Sequence, residues 1–220
     1  MMIPLIPPYP TVILANGAFP EHAVPLKKLY EAERIIACDG AVEALLEIGR
    51  EPDYIVGDLD SLSPLLRERY TDRLHHDSDQ ETNDLTKAIH FAVKNGWSRI
   101  AILGASGKRE DHCLGNISLL ADYAALVEVC MLTDYGVFVP IHQSSVFESF
   151  PFQQVSIFTI TPSTLLTTHR LTYSLKEATL TSWWQGTLNE AQETSFRIEM
   201  DRGSIIVFRT YEGKEINARN

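Results

Sequence analysis

The sequence has 220 residues, of which 45% are hydrophobic and 22% charged, an ordinary composition for a globular protein with one large core or two smaller ones. Its formal net charge of −10 opposes binding to a phosphate backbone, so we expect no nucleic-acid partner. No apolar run approaches the roughly 20 residues that span a bilayer, the first residues lack the basic start of a secretory signal, and the three cysteines are isolated. We therefore predict a cytoplasmic protein with reduced thiols and no membrane partner.

Apolar runs alternate with helical patterns over residues 1–138, which predicts an α/β domain built on a mostly parallel, Rossmann-like sheet. The clearest helix begins near Asn83, because Leu85, Ala88 and Ile89 recur at helical spacing. In chain order, the predicted strands are 11–15, 34–38, 53–57, 99–103 and 127–132, and the other predicted helices cover 41–48 and the residues that follow His112.

The character of the sequence changes after residue 138. Short strand patterns at 155–160, 195–200 and 204–209 are separated by clusters of Thr, Ser and Gly, and no strong helical pattern is present. This pattern is typical of antiparallel β structure. We therefore predict a small all-β sandwich domain over residues 139–220.

Acidic residues follow the carboxyl ends of several predicted strands. Asp39 follows the second strand, Asp58 and Asp60 follow the third, and the segment 104–111 follows the fourth. In an open α/β sheet, ligands bind at this edge. The sequence therefore places a candidate binding site at the carboxyl ends of the strands.

The segment 57–61 has the sequence Gly-Asp-Leu-Asp-Ser. On an extended backbone, the carboxylates of Asp58 and Asp60 would point to the same side, with Leu59 directed into the core. Two adjacent carboxylates repel one another unless a cation lies between them, and Mg²⁺ prefers such oxygen ligands. The alternative is a solvated acidic turn in which Asp60 caps the next helix.

The segment Asp79-Gln80-Glu81-Thr82-Asn83-Asp84 precedes the clearest predicted helix. Thr82 or Asn83 is suited to the N-cap, and an acidic first turn suits the helix dipole. In the functional alternative, Asp84 joins Asp58 and Asp60 around the metal, and Gln80 is free to bind a neutral heterocycle.

The loop Gly104-Ala105-Ser106-Gly107-Lys108-Arg109 connects a predicted strand to a predicted helix. Its small residues would let backbone N–H groups approach a phosphate, and its two basic residues add positive charge. The glycine spacing is not that of a Walker A motif, and an ordinary tight turn is the alternative. Trp183 and Trp184 either pack within the β domain or stack on an aromatic ligand, and the His75-His76 pair is predicted in a loop or on the surface.

The four segments at 38–41 (CDGA), 57–61 (GDLDS), 79–84 (DQETND) and 104–112 (GASGKREDH), in this order, resemble the thiamin pyrophosphokinase family. The segment 171–190 resembles the C-terminal β-sandwich of that family more weakly. The resemblance implies transfer of pyrophosphate from ATP to the thiamin hydroxyl, giving thiamin diphosphate and AMP. It also implies an ATP- and Mg²⁺-binding catalytic domain, a thiamin-binding β domain, and a homodimer whose thiamin site lies at the interface.

The resemblance also implies roles for individual residues. Asp58, Asp60 and Asp84 would bind Mg²⁺ and, together with Arg109, would be catalytic. On the nucleotide side, ATP would be bound by Asp39, Gly104, Ser106, Gly107, Lys108, Arg109 and Asp111. On the thiamin side, the substrate would be bound by Asp79, Gln80, Asn189 and Trp184, with Trp183 and Phe208 as further candidates for stacking.

Three residues depart from the family pattern. Asn83 replaces a usual Thr, Leu188 a usual Ser, and Lys108 a common Gly. Two alternatives therefore stay open at this point: a pyrophosphokinase or kinase that acts on another small alcohol, and a non-catalytic regulator that binds a nucleotide or thiamin.

Overall fold

The computed structural model describes residues 2–213, which form two compact units. One unit comprises Pro8–Asp134, and the other comprises the residues up to Pro7 together with those from Tyr135 onward. The first strand, β1 (Met2–Ile3), therefore belongs to the second unit. None of the helices in the described range has the length and apolar character needed to cross a bilayer.

The first unit has α/β structure. Its strands are β2 (Thr11–Leu14), β3 (Arg34–Cys38), β4 (Tyr54–Gly57), β5 (Leu74–His76), β6 (Arg99–Leu103) and β7 (Glu128–Leu132). Its helices are α1 (Ala23–Tyr30), α2 (Val42–Glu47), α3 (Pro64–Arg69), α4 (Asp84–Lys94) and α5 (Glu110–Tyr123), with short 3-10 helices at Asp39–Ala41 and Thr71–Arg73.

All neighbouring strands of this unit pair in parallel, in the order β7-β6-β2-β3-β4-β5. From the central strand β2, the chain builds the sheet outward through β3, β4 and β5. It then returns to the other side of β2 with β6 and β7. The strand order therefore reverses between β2 and β6, and the carboxyl ends at such a reversal form the crevice in which open α/β sheets bind ligands.

Helix α4 forms as its sequence pattern predicts. Leu85, Ala88 and Ile89 lie on its buried face. The side chain of Asn83 is the N-cap and accepts a hydrogen bond from the backbone N of Thr86 at 2.9 Å, which satisfies one of the free N–H groups of the first turn. The cap fixes the start of the helix at Asp84, so this carboxylate lies at the carboxyl edge of the sheet.

The prediction that His75 lies in a loop or on the surface is wrong. His75 is the central residue of β5, and its ring lies 4.2 Å from that of Phe91 and 5.5 Å from that of Tyr54, between centroids. Burial lowers the pKa of His75. Since these contacts come from β4 and α4, the sequence around the histidine pair carries little sign of them.

The second unit is β-rich. Besides β1, its strands are β8 (Gly136–Ile141), β9 (Ser145–Glu148), β10 (Gln153–Thr159), β11 (Leu166–His169), β12 (Asn189–Glu190), β13 (Ser195–Met200) and β14 (Ile205–Gly213). One sheet has the order β1-β9-β13-β11, and the other strands of the unit follow the order β12-β10-β14-β8. The predicted fold class, an α/β domain followed by a β domain, is confirmed.

The two units divide after Asp134, four residues before the boundary predicted at 138. The reason is strand pairing, because Gly136–Ile141 pairs antiparallel with β14 along its whole length. The short strand β1 likewise pairs with β9, so residues predicted as part of the first domain belong to the second unit.

A buried arginine connects the strands of the β-rich unit to its N-terminal segment. Arg209 of β14 is fully buried. Its guanidinium donates hydrogen bonds to the backbone O of Glu148 at 2.7 Å and of Pro4 at 2.8 Å, and it lies 5.0 Å from the centroid of the Phe147 ring. The five N–H donors of a guanidinium suit this role, because they can bind several carbonyl groups at once.

The substitution Arg209→Met is expected to lower the free energy of unfolding by about 2 kcal/mol, because the hydrogen bonds from this buried side chain to the carbonyl groups of Pro4 and Glu148 would be lost. Urea denaturation followed by circular dichroism measures the change. The matched control is Arg202→Met, since Arg202 is an exposed arginine of the same unit, paired with Asp201. Equal denaturation midpoints for the two variants would show that Arg209 contributes no more than a surface arginine.

Candidate active site

A cavity of about 400 Å³ opens at the carboxyl edge of the parallel sheet. Its walls come from the end of β3, from the segments that follow β2, β4 and β6, and from the N-terminal parts of α4 and α5 with the residues that precede α4. Two of the acidic residues singled out in the sequence, Asp58 and Asp84, line it, as does the glycine-rich loop. The residues used below that line it are Asn16, Asp58, Gln80, Asn83, Asp84, Lys87, Gly107, Lys108, Arg109 and Asn116.

Three carboxylates come together at this edge. Oxygen atoms of Asp39, Asp58 and Asp84 lie within 4.8 Å of one another. Asp39 is buried, and its carboxylate accepts hydrogen bonds from the backbone N of Gly40 at 2.7 Å and of Ser61 at 3.3 Å. Burial raises the pKa of Asp39, and the negative charges of Asp84 and Asp58 raise it further, while the two N–H groups lower it.

These three residues fit a divalent cation of the Mg²⁺ type. Their ligand atoms are all oxygen, the kind that Mg²⁺ prefers, and all lie within 4.8 Å of one another. Space for an ion is preserved by Gly57, because a Cβ there would lie 3.2 Å from Cγ of Asp39 and 3.3 Å from Cγ of Asp84. A side chain at position 57 would push these carboxylates aside.

The geometry does not support the prediction that Asp60 completes the metal site. Asp60 is exposed and is not one of the three clustered carboxylates. The prediction assumed an extended backbone, but Leu59 is left-handed with φ 66°. The chain therefore turns after Asp58, and the backbone N of Asp60 donates a hydrogen bond to Oδ1 of Asp58 at 3.1 Å. Asp39, which was assigned to the nucleotide side, occupies the third position instead.

A buried lysine lies beside the carboxylates. Nζ of Lys87 is 3.1 Å from Oδ1 of Asp84, and only 3% of the lysine side chain is exposed. Burial lowers the pKa of Lys87, but the hydrogen bond and charge of Asp84 and the charges of Asp58 and Asp77 outweigh it, so that its pKa is raised. Lys87 is thus a charged ammonium that lines the cavity. Sequence analysis missed it because a lysine on a helix ordinarily indicates a solvated surface.

The glycine-rich loop after β6 packs against the segment after β2. The backbone N of Gly17 donates to the O of Gly104 at 2.6 Å, and the N of Ala18 donates to the O of Ser106 at 2.8 Å. Gly104 and Gly107 have φ values of 65° and 73°, which a residue without a Cβ adopts readily. The loop is therefore held across the crevice between β2 and β6, and Gly107 lines the cavity.

Lys108 and Arg109 of this loop, and Asp111 of α5, have different partners. Nζ of Lys108 lies 3.2 Å from both O and Oδ1 of Asn16. The exposed guanidinium of Arg109 makes a two-bond ion pair with Asp111, at 3.1 and 2.6 Å. This pair lowers the pKa of Asp111 to about 2. Lys108 and Arg109 both line the cavity, whereas Asp111 holds the arginine.

One further residue of the site, Asn116 of α5, was missed by sequence analysis. Its Nδ2 donates to the O of Ala105 at 2.9 Å, and its Oδ1 accepts from Nδ2 of Asn83 at 3.3 Å. It thereby connects the glycine-rich loop to the N-cap of α4, which precedes Asp84. The only signal in the sequence is a polar residue within a moderately apolar helix.

Gln80 and Asp79, two residues of the segment before α4 predicted to bind the substrate, have different surroundings. Gln80 is exposed and lines the cavity. The carboxylate of Asp79 instead accepts hydrogen bonds from the N of Glu81 at 2.9 Å and Oγ1 of Thr82 at 3.1 Å, which order the loop and lower the pKa of Asp79. Gln80 is therefore the better-placed of the two for contact with a ligand.

The candidate thiamin residues of the β-rich unit differ in their surroundings. The amide of Asn189 exchanges hydrogen bonds with the backbone of Tyr173, at 3.0 and 2.8 Å. Trp183 donates to the O of Thr159 at 3.1 Å, so this tryptophan packs within the fold. Trp184 is 75% exposed.

Two further positions of this unit were singled out in the sequence. The ring of Phe208 lies 4.4 Å from that of Phe138, between centroids, so Phe208 is engaged in packing. Leu188 has a φ of 58° and is 73% exposed. Among the aromatic candidates, only Trp184 therefore presents most of its surface for stacking on a ligand.

A glycine-rich loop at the reversal of a parallel sheet, next to clustered carboxylates, is typical of proteins that bind nucleotides. Family models identify the particular family. The model described as thiamin pyrophosphokinase, catalytic domain, matches residues 26–131, and the model described as thiamin pyrophosphokinase, substrate-binding domain, matches residues 136–208. The chain belongs to the thiamin pyrophosphokinase family.

Individual relatives agree with this assignment. Thiamine pyrophosphokinase 1 of Oryza sativa subsp. japonica is 30% identical over 154 residues, which cover 58% of this chain and 57% of that protein. Thiamine pyrophosphokinase of Bacillus subtilis is 33% identical over 114 residues, which cover 49% and 52%. The chain thus aligns with just over half the length of these two curated relatives.

Solved structures show the same fold. The crystal structure of thiamine pyrophosphokinase from Bacillus subtilis superposes with a TM-score of 0.75 at 22% identity, covering 92% of this chain and 99% of that one. The thiamin pyrophosphokinase from Candida albicans gives a TM-score of 0.73 at 18% identity, covering 95% and 96%.

Proposed function

We propose that the protein is a thiamin pyrophosphokinase, which transfers the pyrophosphoryl group of ATP to the hydroxyl of thiamin. The observation that carries the proposal is the meeting of the acidic cluster and the glycine-rich loop at one cavity. One group suits a metal ion and the other suits phosphates, and a reaction on a metal-bound triphosphate needs both. Membership of the family supplies the acceptor.

In this reaction the thiamin hydroxyl oxygen forms a bond to the β-phosphorus of ATP. The bond from that phosphorus to the oxygen bridging to the α-phosphate breaks, AMP leaves with the electron pair, and the hydroxyl loses its proton. Phosphoryl-type transfer requires little covalent help from a protein, so that positioning and charge neutralisation provide most of the acceleration.

The carboxylates of Asp39, Asp58 and Asp84 would hold Mg²⁺. When bound, Mg²⁺ neutralises charge on the phosphates and orients them. This set retains two of the three ligands proposed from sequence and replaces Asp60 with Asp39. It also explains how a chain with a net charge of −10 binds a polyphosphate.

Cationic and N–H groups on the same cavity would contact the nucleotide. Lys87 contributes a charged, largely dehydrated ammonium, and such preorganised groups act strongly on developing charge. Lys108 and Arg109 add charge at the loop, and the backbone N–H groups of the loop approach phosphate oxygens. Asp111 keeps the guanidinium of Arg109 oriented.

For the thiamin side, we propose a homodimer in which the β-rich unit of one protomer completes the site of its partner. Gln80 would hydrogen-bond the neutral heterocycle, and Trp184 would stack on thiamin across the interface. The exposure of Trp184 and of the nearby Leu188 supports this arrangement, because it leaves both apolar side chains available for a contact with a ligand or a partner. The roles of Asp79 and Asn189 in substrate binding, and the cytoplasmic location, remain predictions.

The substitution Lys108→Gly is expected to weaken nucleotide binding about fivefold, the loss expected from one exposed charge contact. Stability should hold, because Lys108 has a φ of 58°, which glycine adopts without strain. Calorimetric titration with a non-hydrolysable ATP analogue measures the affinity. The control is Lys27→Ala, which removes an exposed charge on α1, and equal affinities of the two variants would exclude Lys108 from the nucleotide site.

The direct test of the proposed function is the formation of AMP and thiamin diphosphate from ATP and thiamin, with and without Mg²⁺. Equal amounts of both products, only with Mg²⁺, are the expected result. Products with another heterocyclic alcohol but not with thiamin would identify a different acceptor. Nucleotide binding without any product would identify a regulator.

A further inference from the structure

The segment that carries Asp58 is folded into a compact turn between β4 and α3. Leu59 is left-handed, and its O accepts a hydrogen bond from the backbone N of Leu62 at 3.2 Å. Leu59 and Leu62 are both buried in one core cluster with Leu66. The left-handed conformation is unfavourable for a residue with a Cβ, so it persists only where its surroundings hold it.

Arg67 of α3 holds this turn from outside the cavity. Its Nη2 donates a hydrogen bond to the O of Leu59, and its Nε donates to the O of Leu62 at 3.1 Å. The position of Arg67 is itself fixed, because its backbone N donates to the O of Ser63, the N-cap of α3, at 3.0 Å. The planar guanidinium can bind both carbonyl groups at once, which the single ammonium of a lysine does less well.

The turn decides where the carboxylates point. At Leu59 the chain turns away from the direction of β4, which leaves Asp58 beside Asp39 and Asp84 and directs Asp60 to solvent. The same turn presents the backbone N of Ser61 to Asp39. Two of the three clustered carboxylates therefore depend on the conformation of this segment.

We propose that Arg67 is a positioning residue for the metal site: it holds Leu59 in the left-handed conformation and thereby keeps the Asp58 carboxylate in the cluster. The inference rests on the proposed function insofar as the cluster binds a divalent cation. Arg67 touches neither the cation nor the substrates, and acts through the two carbonyl groups that it binds.

The test is Mn²⁺ binding by the full chain without nucleotide, measured by electron paramagnetic resonance, in which protein-bound Mn²⁺ loses its sharp signal. Arg67→Met is expected to weaken Mn²⁺ binding about tenfold, the usual effect of losing a partner that orients a ligand. The Mn²⁺ affinity of Arg67→Lys should lie between those of Arg67→Met and the wild type. The matched control is Arg69→Met, which removes the same charge from the same helix. The side chain of Arg69 pairs with Glu51.

Removal of a positive charge alone would strengthen cation binding in both methionine variants, so weaker binding only in Arg67→Met distinguishes positioning from charge. If Arg67→Met does not fold, the Mn²⁺ affinity of Arg67→Lys is compared with that of the wild type instead. Faster hydrogen exchange at the Leu62 amide then shows that the turn has loosened, because this amide donates to the O of Leu59. Wild-type Mn²⁺ affinity in the folded Arg67 variants would overturn the inference, as would a wild type that binds no Mn²⁺. Mn²⁺ binding without formation of thiamin diphosphate would overturn only the proposed function.

Discussion

The substitution Asp58→Asn is expected to lower turnover at least about a hundredfold, which corresponds to a loss of roughly 2.7 kcal/mol of transition-state stabilisation. Asparagine keeps the size of the side chain but removes the charge that attracts a cation. The fold should survive, because Asp58 is only partly buried and its removal reduces the repulsion with Asp39 and Asp84. The prediction therefore separates catalysis from stability.

Steady-state kinetics at several Mg²⁺ concentrations, together with thermal unfolding, measures both effects. Asp72→Asn serves as the control, since Asp72 is an exposed aspartate in the 3-10 helix Thr71–Arg73, and should keep both activity and stability. Near wild-type turnover in a well-folded Asp58→Asn variant would remove Asp58 from the metal site. A similar loss in the Asp72 variant would point to a general effect of charge.

The substitution Lys87→Met is expected to lower turnover about a hundredfold, as for the loss of one preorganised group that contacts developing charge. The same substitution should increase the affinity for a divalent cation. Without the ammonium at 3.1 Å from Asp84, the carboxylates repel one another more strongly and attract a cation more strongly. The variant should therefore bind Mn²⁺ more tightly than the wild type while turning over more slowly.

Thermal unfolding gives a second measurement on the Lys87→Met variant. In EDTA its melting temperature should fall, since Asp84 loses its buried partner, and added Mg²⁺ should restore it by binding the folded state. Lys94→Met, on the exposed end of the same helix, should show neither effect. Wild-type turnover with a lowered melting temperature would mean that Lys87 compensates charge and contacts no phosphate.

The parts of the fold that could be predicted from sequence are those with a strong local pattern of apolar residues. The parallel strands are continuous apolar runs, and α4 repeats its apolar residues at helical spacing. The elements that were missed are short and depend on partners. Helix α3 has a single buried residue, Leu66, and β5 contains His75, which packs on aromatic rings from elsewhere in the unit. Such contacts leave no local pattern.

The site was predictable where topology alone determines position. The rule that ligands bind at the carboxyl ends of parallel strands brought Asp39, Asp58 and the glycine-rich loop to one edge. It could not distinguish Asp60 from Asp39, because that choice depends on the left-handed backbone of Leu59. It also could not find Lys87, whose burial follows from packing rather than from spacing.

The pairing of β1 with β9, and the hydrogen bonds from Arg209 to the segment after β1, have a consequence for biosynthesis. During translation, the α/β unit has all its strands once β7 has left the ribosome. The segment Met2–Leu5, although synthesised earlier, must wait for Arg209 near the other end of the chain. Deletion of residues within Met2–Leu5 is therefore expected to disturb the β-rich unit rather than the α/β unit that follows this segment in the sequence.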